Sequence, residues 1–174
     1  LPWNGNSSGY TTTTRKNTSE CTKSGCGEWR PRGYDVVDAA TLTSMLSNLR
    51  QYVAVLEGLA AVPKEAFLAQ PDRIGNAKYH FVIAIESCID IANHIIASEN
   101  FRFPKDNADS FAVLIEEGIL PEALRESLRD MARFRNRLVH IYWKVDDARV
   151  HEYLETALGD FHAFARAVAE HPWS

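Results

Sequence analysis

From Leu42 to Val168 the apolar residues recur at intervals of three and four, and no segment alternates with period two over the length of a strand. A chain patterned in this way buries its apolar surface by packing helix on helix, because that spacing gathers side chains on one face of a 3.6-residue turn. Leu42, Met45, Leu46, Leu49, Val53 and Leu56 predict a first helix over 39–60, with Asp38 as its N-cap. Pro63 and Pro71 punctuate a short connection. Beyond it, 73–98 reads as a second helix, dense in Ile and Ala and apolar on more than one face, as a central helix must be. A loop with Pro104 and Asp106 leads to a third helix over 107–117, closed by Gly118. Pro121 suits the first turn of a fourth, over 121–143. Val150, Leu154, Ala157, Phe161, Phe164 and Val168 form a single seam for the last helix. The expected fold is all-α, an up-and-down bundle of about five helices.

Residues 1–34 stand apart. They hold 5 of the 9 glycines with 6 Thr and 4 Ser, and no Ile, Val, Phe, Met or Ala. A segment so poor in apolar surface cannot offset its ordering entropy, so it is set aside as a disordered or non-native N-terminal segment, leaving 35–174 as the helical domain. Cys21 and Cys26 lie within it at a spacing unsuited to zinc and without a second ligand pair; they read as free thiols. Three cysteines make no even disulfide framework, and no secretory leader pattern is present. A reducing cytoplasm is the expected home, and the sequons at Asn6 and Asn17 are then chance matches. The run from Phe81 to Ile96 carries Glu86, Asp90, Asn93 and His94, too polar for a membrane span.

A net charge of −4 gives no global attraction to nucleic acid or to an anionic membrane. Any RNA contact must rest on a local patch. Between Arg125 and Arg149 lie six arginines and Lys144 against Glu126, Asp130, Asp146 and Asp147, an excess of three positive charges on an acidic body. Pairs such as Glu126–Arg129 would make this a solvated helix face. The company of the arginines points further: Asn136 and His140 are i,i+4 neighbours, Arg137 is one turn before His140, and Tyr142 follows. An imidazole, guanidinium groups and a phenol converge on about two turns of helix.

The segment Arg135-Asn136-Arg137-Leu138-Val139-His140-Ile141-Tyr142 resembles the Arg-x4-His-x-Tyr motif of the HepT toxins within the HEPN superfamily. The segment from Ala84 to Ile96 is similar to that family's second helix, and Gly118-Ile119-Leu120-Pro121 to its turn into the motif helix. The likeness covers about 36–170. It implies a ribonuclease toxin that acts without a metal or other cofactor, a homodimer with the motif in a cleft between protomers, and a minimal nucleotidyltransferase (MNT) antitoxin as partner. Histidine suits a proton acceptor near neutral pH, and His140 is that candidate. Charge accumulating on phosphorane oxygens suits the paired donors of a guanidinium, the role of Arg135. Asn136, Asp90 and His94 are supporting residues, the last two as hydrogen-bond partners of the motif arginines. Arg133, Arg137 and Lys144 are the RNA-binding candidates. Tyr142 is the implied acceptor of AMP, which would add negative charge and bulk beside the motif.

Arg135 and His140 are five residues apart, about 140° around an ideal helix, and cannot both face one phosphate from a single undistorted helix. Side-chain reach, a local irregularity, or a second copy across a dimer interface would reconcile them; the resemblance favours the third. Glu86, Asp90 and His94 form a stripe at four-residue steps that is read as polar lining of a groove rather than as a metal site. Two competing functions remain: a catalytically silent helical partner of the nucleotidyltransferase, and a structural dimerising bundle, whose mark would be a buried, paired His140.

Overall fold

The computed structural model describes residues 38–141 and 144–173, all of it helix, turn and loop. Among the described residues the elements are, in order, α1 (Ala39–Ala60), α2 (Lys64–Leu68), α3 (Pro71–Ser98), α4 (Asn107–Glu116), the 3-10 turn Glu122–Leu124, α5 (Arg125–His140), α6 (Asp147–Thr156) and α7 (Leu158–Glu170). Three of the helix starts are set by aspartates. Asp38 accepts from the Ala40 and Thr41 N–H groups, Asp106 from Asp109 N–H, and Asp146 from Ala148 N–H, each satisfying donors that a first turn leaves unpaired. Gly118 ends the α4 region at φ +75°, where only a residue without a Cβ is unstrained, and Ile119 N–H returns to Leu114 O at 2.9 Å.

α3 is the axis of the bundle. It is long and apolar enough to cross a membrane by length and composition, yet Ala77, Phe81, Ala84, Ile85, Ile91 and Ile95 are all buried against the neighbouring helices. α1 packs along it through Leu42, Leu46, Leu49, Val53 and Leu56, and α4, α5 and α6 complete its surroundings. The one polar side chain of α4 that is drawn inside, Ser110, donates to Asn93 Oδ1 at 2.8 Å, which removes the cost of an unpaired buried hydroxyl.

The count of five helices is corrected to seven. The seam from Val150 to Val168 is two helices, broken at Ala157 (φ −103°, ψ −9°). The break costs one residue of helix and lets α6 lie against α1, α2 and α3 while α7 runs along α1. Since Leu154, Leu158 and Phe161 remain buried on both sides of it, the apolar spacing passes through the break unaltered. α2 lies where the sequence predicts only a connection: it is five residues long, entered from Pro63, and buries Phe67 completely. The fourth helix ends at His140, not at 143. Ile141 leaves helical geometry (φ −140°, ψ 38°), as a run of β-branched and aromatic residues, Val139-His140-Ile141-Tyr142-Trp143, has little intrinsic helix preference to oppose.

Candidate active site

α5 positions the motif. Leu128, Met131, Phe134 and Leu138 bury one face of it against the bundle, and this fixes the rotation of every other residue on the helix. Arg135 falls at the edge of that face and is turned toward α3. Its Nε donates to Glu86 Oε1 at 2.6 Å, Nη2 donates to the same oxygen, and Nη1 donates to Asn136 Oδ1 at 3.0 Å. Side-chain exposures of 19% for Arg135 and 32% for Glu86 make this a half-buried ion pair, unlike the exposed pairs elsewhere on the helix.

His140 is the last residue of α5 and is exposed, with no hydrogen bond or ion pair among the described residues. α5 is unbroken α-helix from Arg125 to His140. A local irregularity therefore does not bring Arg135 and His140 together, and the two remain about 140° apart around the axis. Asn136 is exposed one turn before His140 and lines, with Arg129 and Arg133, a groove of about 450 Å³ against the start of α4. Arg133 is exposed and pairs with Asp130 at 3.2 Å. Arg137 and Lys144 are exposed and line a different groove, of about 220 Å³, between the end of α5 and the start of α6. The three RNA-binding candidates thus divide between two grooves. Tyr142 lies outside the described residues.

Asp90 and His94 do not hold the motif arginines. Asp90 sits exposed on α3 one turn beyond Glu86, and no hydrogen bond joins it to Arg135 or Arg137. Burial, and then the charge of Glu86, push its carboxyl above the usual carboxylate range. His94 is half-buried and its Nε2 has no hydrogen-bond partner among the described residues. The partner of the arginine is Glu86, a residue the sequence set in the polar stripe without assigning it to Arg135. Its distance of 49 residues from Arg135 leaves no local signal; only the helical step that aligns Glu86 with Asp90 and His94 hinted that the stripe faces another element. Among the described residues no group of three His, Cys, Asp or Glu side chains is placed to hold a metal ion. A separate apolar pocket of about 220 Å³, floored by Phe81, Ile85, Met131 and Phe161, contains none of the candidate site residues.

Three pairs on the outer face of α5, Glu122–Arg125, Glu126–Arg129 and Asp130–Arg133, follow the i,i+3 spacing of a solvated charged surface. Arg135, Arg137 and His140 fall outside this ladder, and that exclusion separates the motif from the ordinary charge of the helix.

The family described as "Ribonuclease HepT-like" matches residues 42–168, from the first buried leucine of α1 to the last buried valine of α7. The chain belongs to the HepT-like ribonuclease family. It is 34% identical over 79 residues to the mRNA nuclease HepT of Shewanella oneidensis, a stretch that is 45% of this chain and 59% of that relative. In fold it is similar to a crystallised toxin–antitoxin with AMP-PNP (TM-score 0.71, 20% identity, 76% of this chain and 99% of the other). It is also similar to a tri-AMPylated Shewanella oneidensis HEPN toxin in complex with MNT antitoxin (TM-score 0.69, 22% identity, 75% of this chain and 97% of the other). In this HepT-like ribonuclease chain Arg135, Asn136, Arg137 and His140 stand on one helix, α5, with Arg135 anchored to α3 and His140 at the open end.

Proposed function

We propose that this chain is a cytoplasmic, metal-independent RNA endonuclease toxin, cutting with Arg135 and His140 and silenced by transfer of AMP to Tyr142 by a nucleotidyltransferase antitoxin. The observation that carries the reading is the state of His140: exposed at a helix end and unpaired among the described residues, where a structural bundle would bury and pair it. Its imidazole takes the proton of an RNA 2′-hydroxyl as that oxygen attacks the adjacent phosphorus; the bond to the 5′-oxygen breaks, that oxygen takes a proton from water to leave as a 5′-hydroxyl, and a 2′,3′-cyclic phosphate remains. Arg135 meets the charge that builds on the phosphorane oxygens. Relatives named as an mRNA nuclease and as an AMPylated toxin bound to an MNT antitoxin support the substrate class, the modification and the partner.

The site is composite in this proposal, Arg135 of one protomer acting with His140 of a second across a homodimer cleft. A single regular helix keeps the two apart, whereas a twofold copy brings opposite sides of two helices together. Val139 (43% exposed), Ile141 (37%) and Tyr79 (61%) supply apolar surface for such a face near the motif. Sedimentation should return twice the monomer mass.

One observation favours a second reading, a silent helical partner of the nucleotidyltransferase: Glu86 neutralises Arg135, the cation the reaction needs. The two readings part in one experiment. Purified protein and its His140→Ala variant are incubated with total RNA and with a tRNA pool in EDTA. Cleavage by the first and none by the second supports the nuclease. No cleavage by either supports the silent partner, and cleavage that EDTA stops and a divalent metal restores refutes the metal-free mechanism.

A further inference from the structure

The groove between α5 and α6 has features that the reaction proposed above leaves unused. Arg137 from the last turn of α5, Lys144 just beyond it and Arg149 from the first turn of α6 line a cavity of about 220 Å³ over Phe134 and Tyr153. The two rings pack at 4.4 Å between centroids, and the Arg149 guanidinium carbon lies 5.5 Å above the Tyr153 ring. This cation–π contact sets the orientation of a long side chain that would otherwise sample many rotamers. The one acidic partner of Arg149 is Glu152 at 3.2 Å, with both side chains more than half exposed, a contact that a stronger anion displaces easily.

The acids at this end of the molecule are committed. Asp146 accepts the Ala148 N–H at 3.0 Å as the cap of α6, and Asp147 pairs with Lys78 at 2.7 Å. Lys78 Nζ also donates to Val145 O at 3.4 Å, so α3 fixes the turn that carries Lys144. Arg137 and Lys144 form no side-chain ion pair among the described residues. Two guanidinium forks and one ammonium therefore line a small cavity in which Asp146 is the one acidic lining residue, and among the described residues Arg149 alone of the three cations has an acidic ion-pair partner, Glu152. That donor set suits the two free oxygens of a phosphodiester, which the guanidinium forks meet in pairs and the ammonium meets as a point charge.

We propose that this groove is a subsite for a backbone phosphate of single-stranded RNA, held by Arg137, Lys144 and Arg149 one helical turn from His140. The proposal rests on the reading of the chain as a protein that acts on RNA. It assigns Arg149 and its support Tyr153 to RNA binding and excludes Arg133, which lies in the α4 groove.

The test measures binding of a labelled single-stranded RNA of about ten nucleotides by fluorescence anisotropy across a salt series. The full chain carries His140→Ala so that the strand stays intact. Loss of one phosphate contact lowers the slope of log affinity against log salt by about 0.7 for single strands, which is about fivefold in affinity at 0.1 M salt relative to 1 M. Arg149→Gln and Lys144→Gln each show that loss, while Arg125→Gln, at the far end of α5, follows the parent. Unchanged slope and affinity in both groove variants overturn the proposal. So does unchanged RNA binding with altered phosphodiesterase sensitivity of AMP groups on the co-expressed protein, which gives the groove to the modification instead. Wild type that binds RNA through Arg149 but never cuts it refutes the nuclease and leaves the subsite standing.

Discussion

Replacing Glu86 by Gln removes one charge and keeps nearly the same shape, so the variant isolates what the carboxylate does for Arg135. The pair is intermediate in burial, at 19% and 32% side-chain exposure. Exposed ion pairs contribute about 0.2–1 kcal/mol, and breaking a fully buried one costs about 3–5 kcal/mol, so the expected loss is about 1–2 kcal/mol. At about 4 °C per kcal/mol for a domain of this size, the melting temperature falls by roughly 4–8 °C. Arg135 keeps its bond to Asn136 Oδ1, which limits the loss. Thermal unfolding followed by far-ultraviolet circular dichroism at neutral pH gives the single values, and a cycle with Arg135→Met gives a coupling of about 1–2 kcal/mol. RNA cleavage by Glu86→Gln should fall as well, since the guanidinium loses the contact that aims it. Additivity of the two substitutions within about 0.3 kcal/mol would refute the claim that Glu86 holds Arg135. Cleavage that rises would show that Glu86 masks the arginine.

Asp90 gives a pH-dependent effect of opposite sign. Its folded carboxyl lies above the ordinary range because of burial and then Glu86, so the folded state binds more protons than the unfolded one. Stability is lost as pH rises from the unfolded value, about 3.9, through the folded one, so Asp90→Asn should raise the melting temperature at neutral pH and change nothing below about pH 3.9. The effect is small, since Asp90 is exposed overall. Cys88 is completely buried and its thiol is pushed far up by desolvation, so mass spectrometry after native iodoacetamide treatment should find its peptide unlabelled until denaturant is added. Tyr142→Phe keeps the ring but removes the phenolic oxygen, so toxicity should persist while neutralisation by the cognate nucleotidyltransferase fails; intact mass should show AMP units on the wild type alone. Modification of the Phe variant would move the acceptor elsewhere, with Tyr153 next to test.

Helices α1 and α4 were legible almost to the residue because local chemistry decides their ends: Asp38 and Asp106 start them, and Gly118 closes the second. α3 was placed to within two residues, but Pro71 was read as part of the connection and is instead the first residue of the helix, where its missing N–H costs nothing. The break at Ala157 was not legible, since no Pro marks it and the buried positions keep their helical spacing across it, leaving Gly159, two residues beyond, as a weak local sign. What bends the chain there is the demand that α6 reach α2 and α3 while α7 follows α1, a tertiary cause. In the site, Arg135, Asn136, Arg137 and His140 were singled out by the resemblance of their segment to a family motif, whereas Glu86 was placed in the polar stripe of the right helix and given no partner. Helical period says which residues of α3 share a face, but not which residue of α5 that face meets.

The same limit governs the basic patch. Counted along the chain, residues 125–149 form one cluster with an excess of three positive charges. Around the helix they separate by physical role. Arg125, Arg129 and Arg133 are each matched by an acid three residues earlier, so that strip is nearly neutral at the range of a phosphate. Arg135 is turned toward α3 and paired with Glu86. Arg137, with Lys144, is left to the α6 groove. An attraction spread over the whole patch would bind RNA weakly and without register, whereas two unpaired cations in one small groove bind at a fixed place. It follows that the salt dependence of RNA binding should respond to Arg137 and Lys144 far more than to the three laddered arginines, although five charges sit on nearly the same stretch of chain.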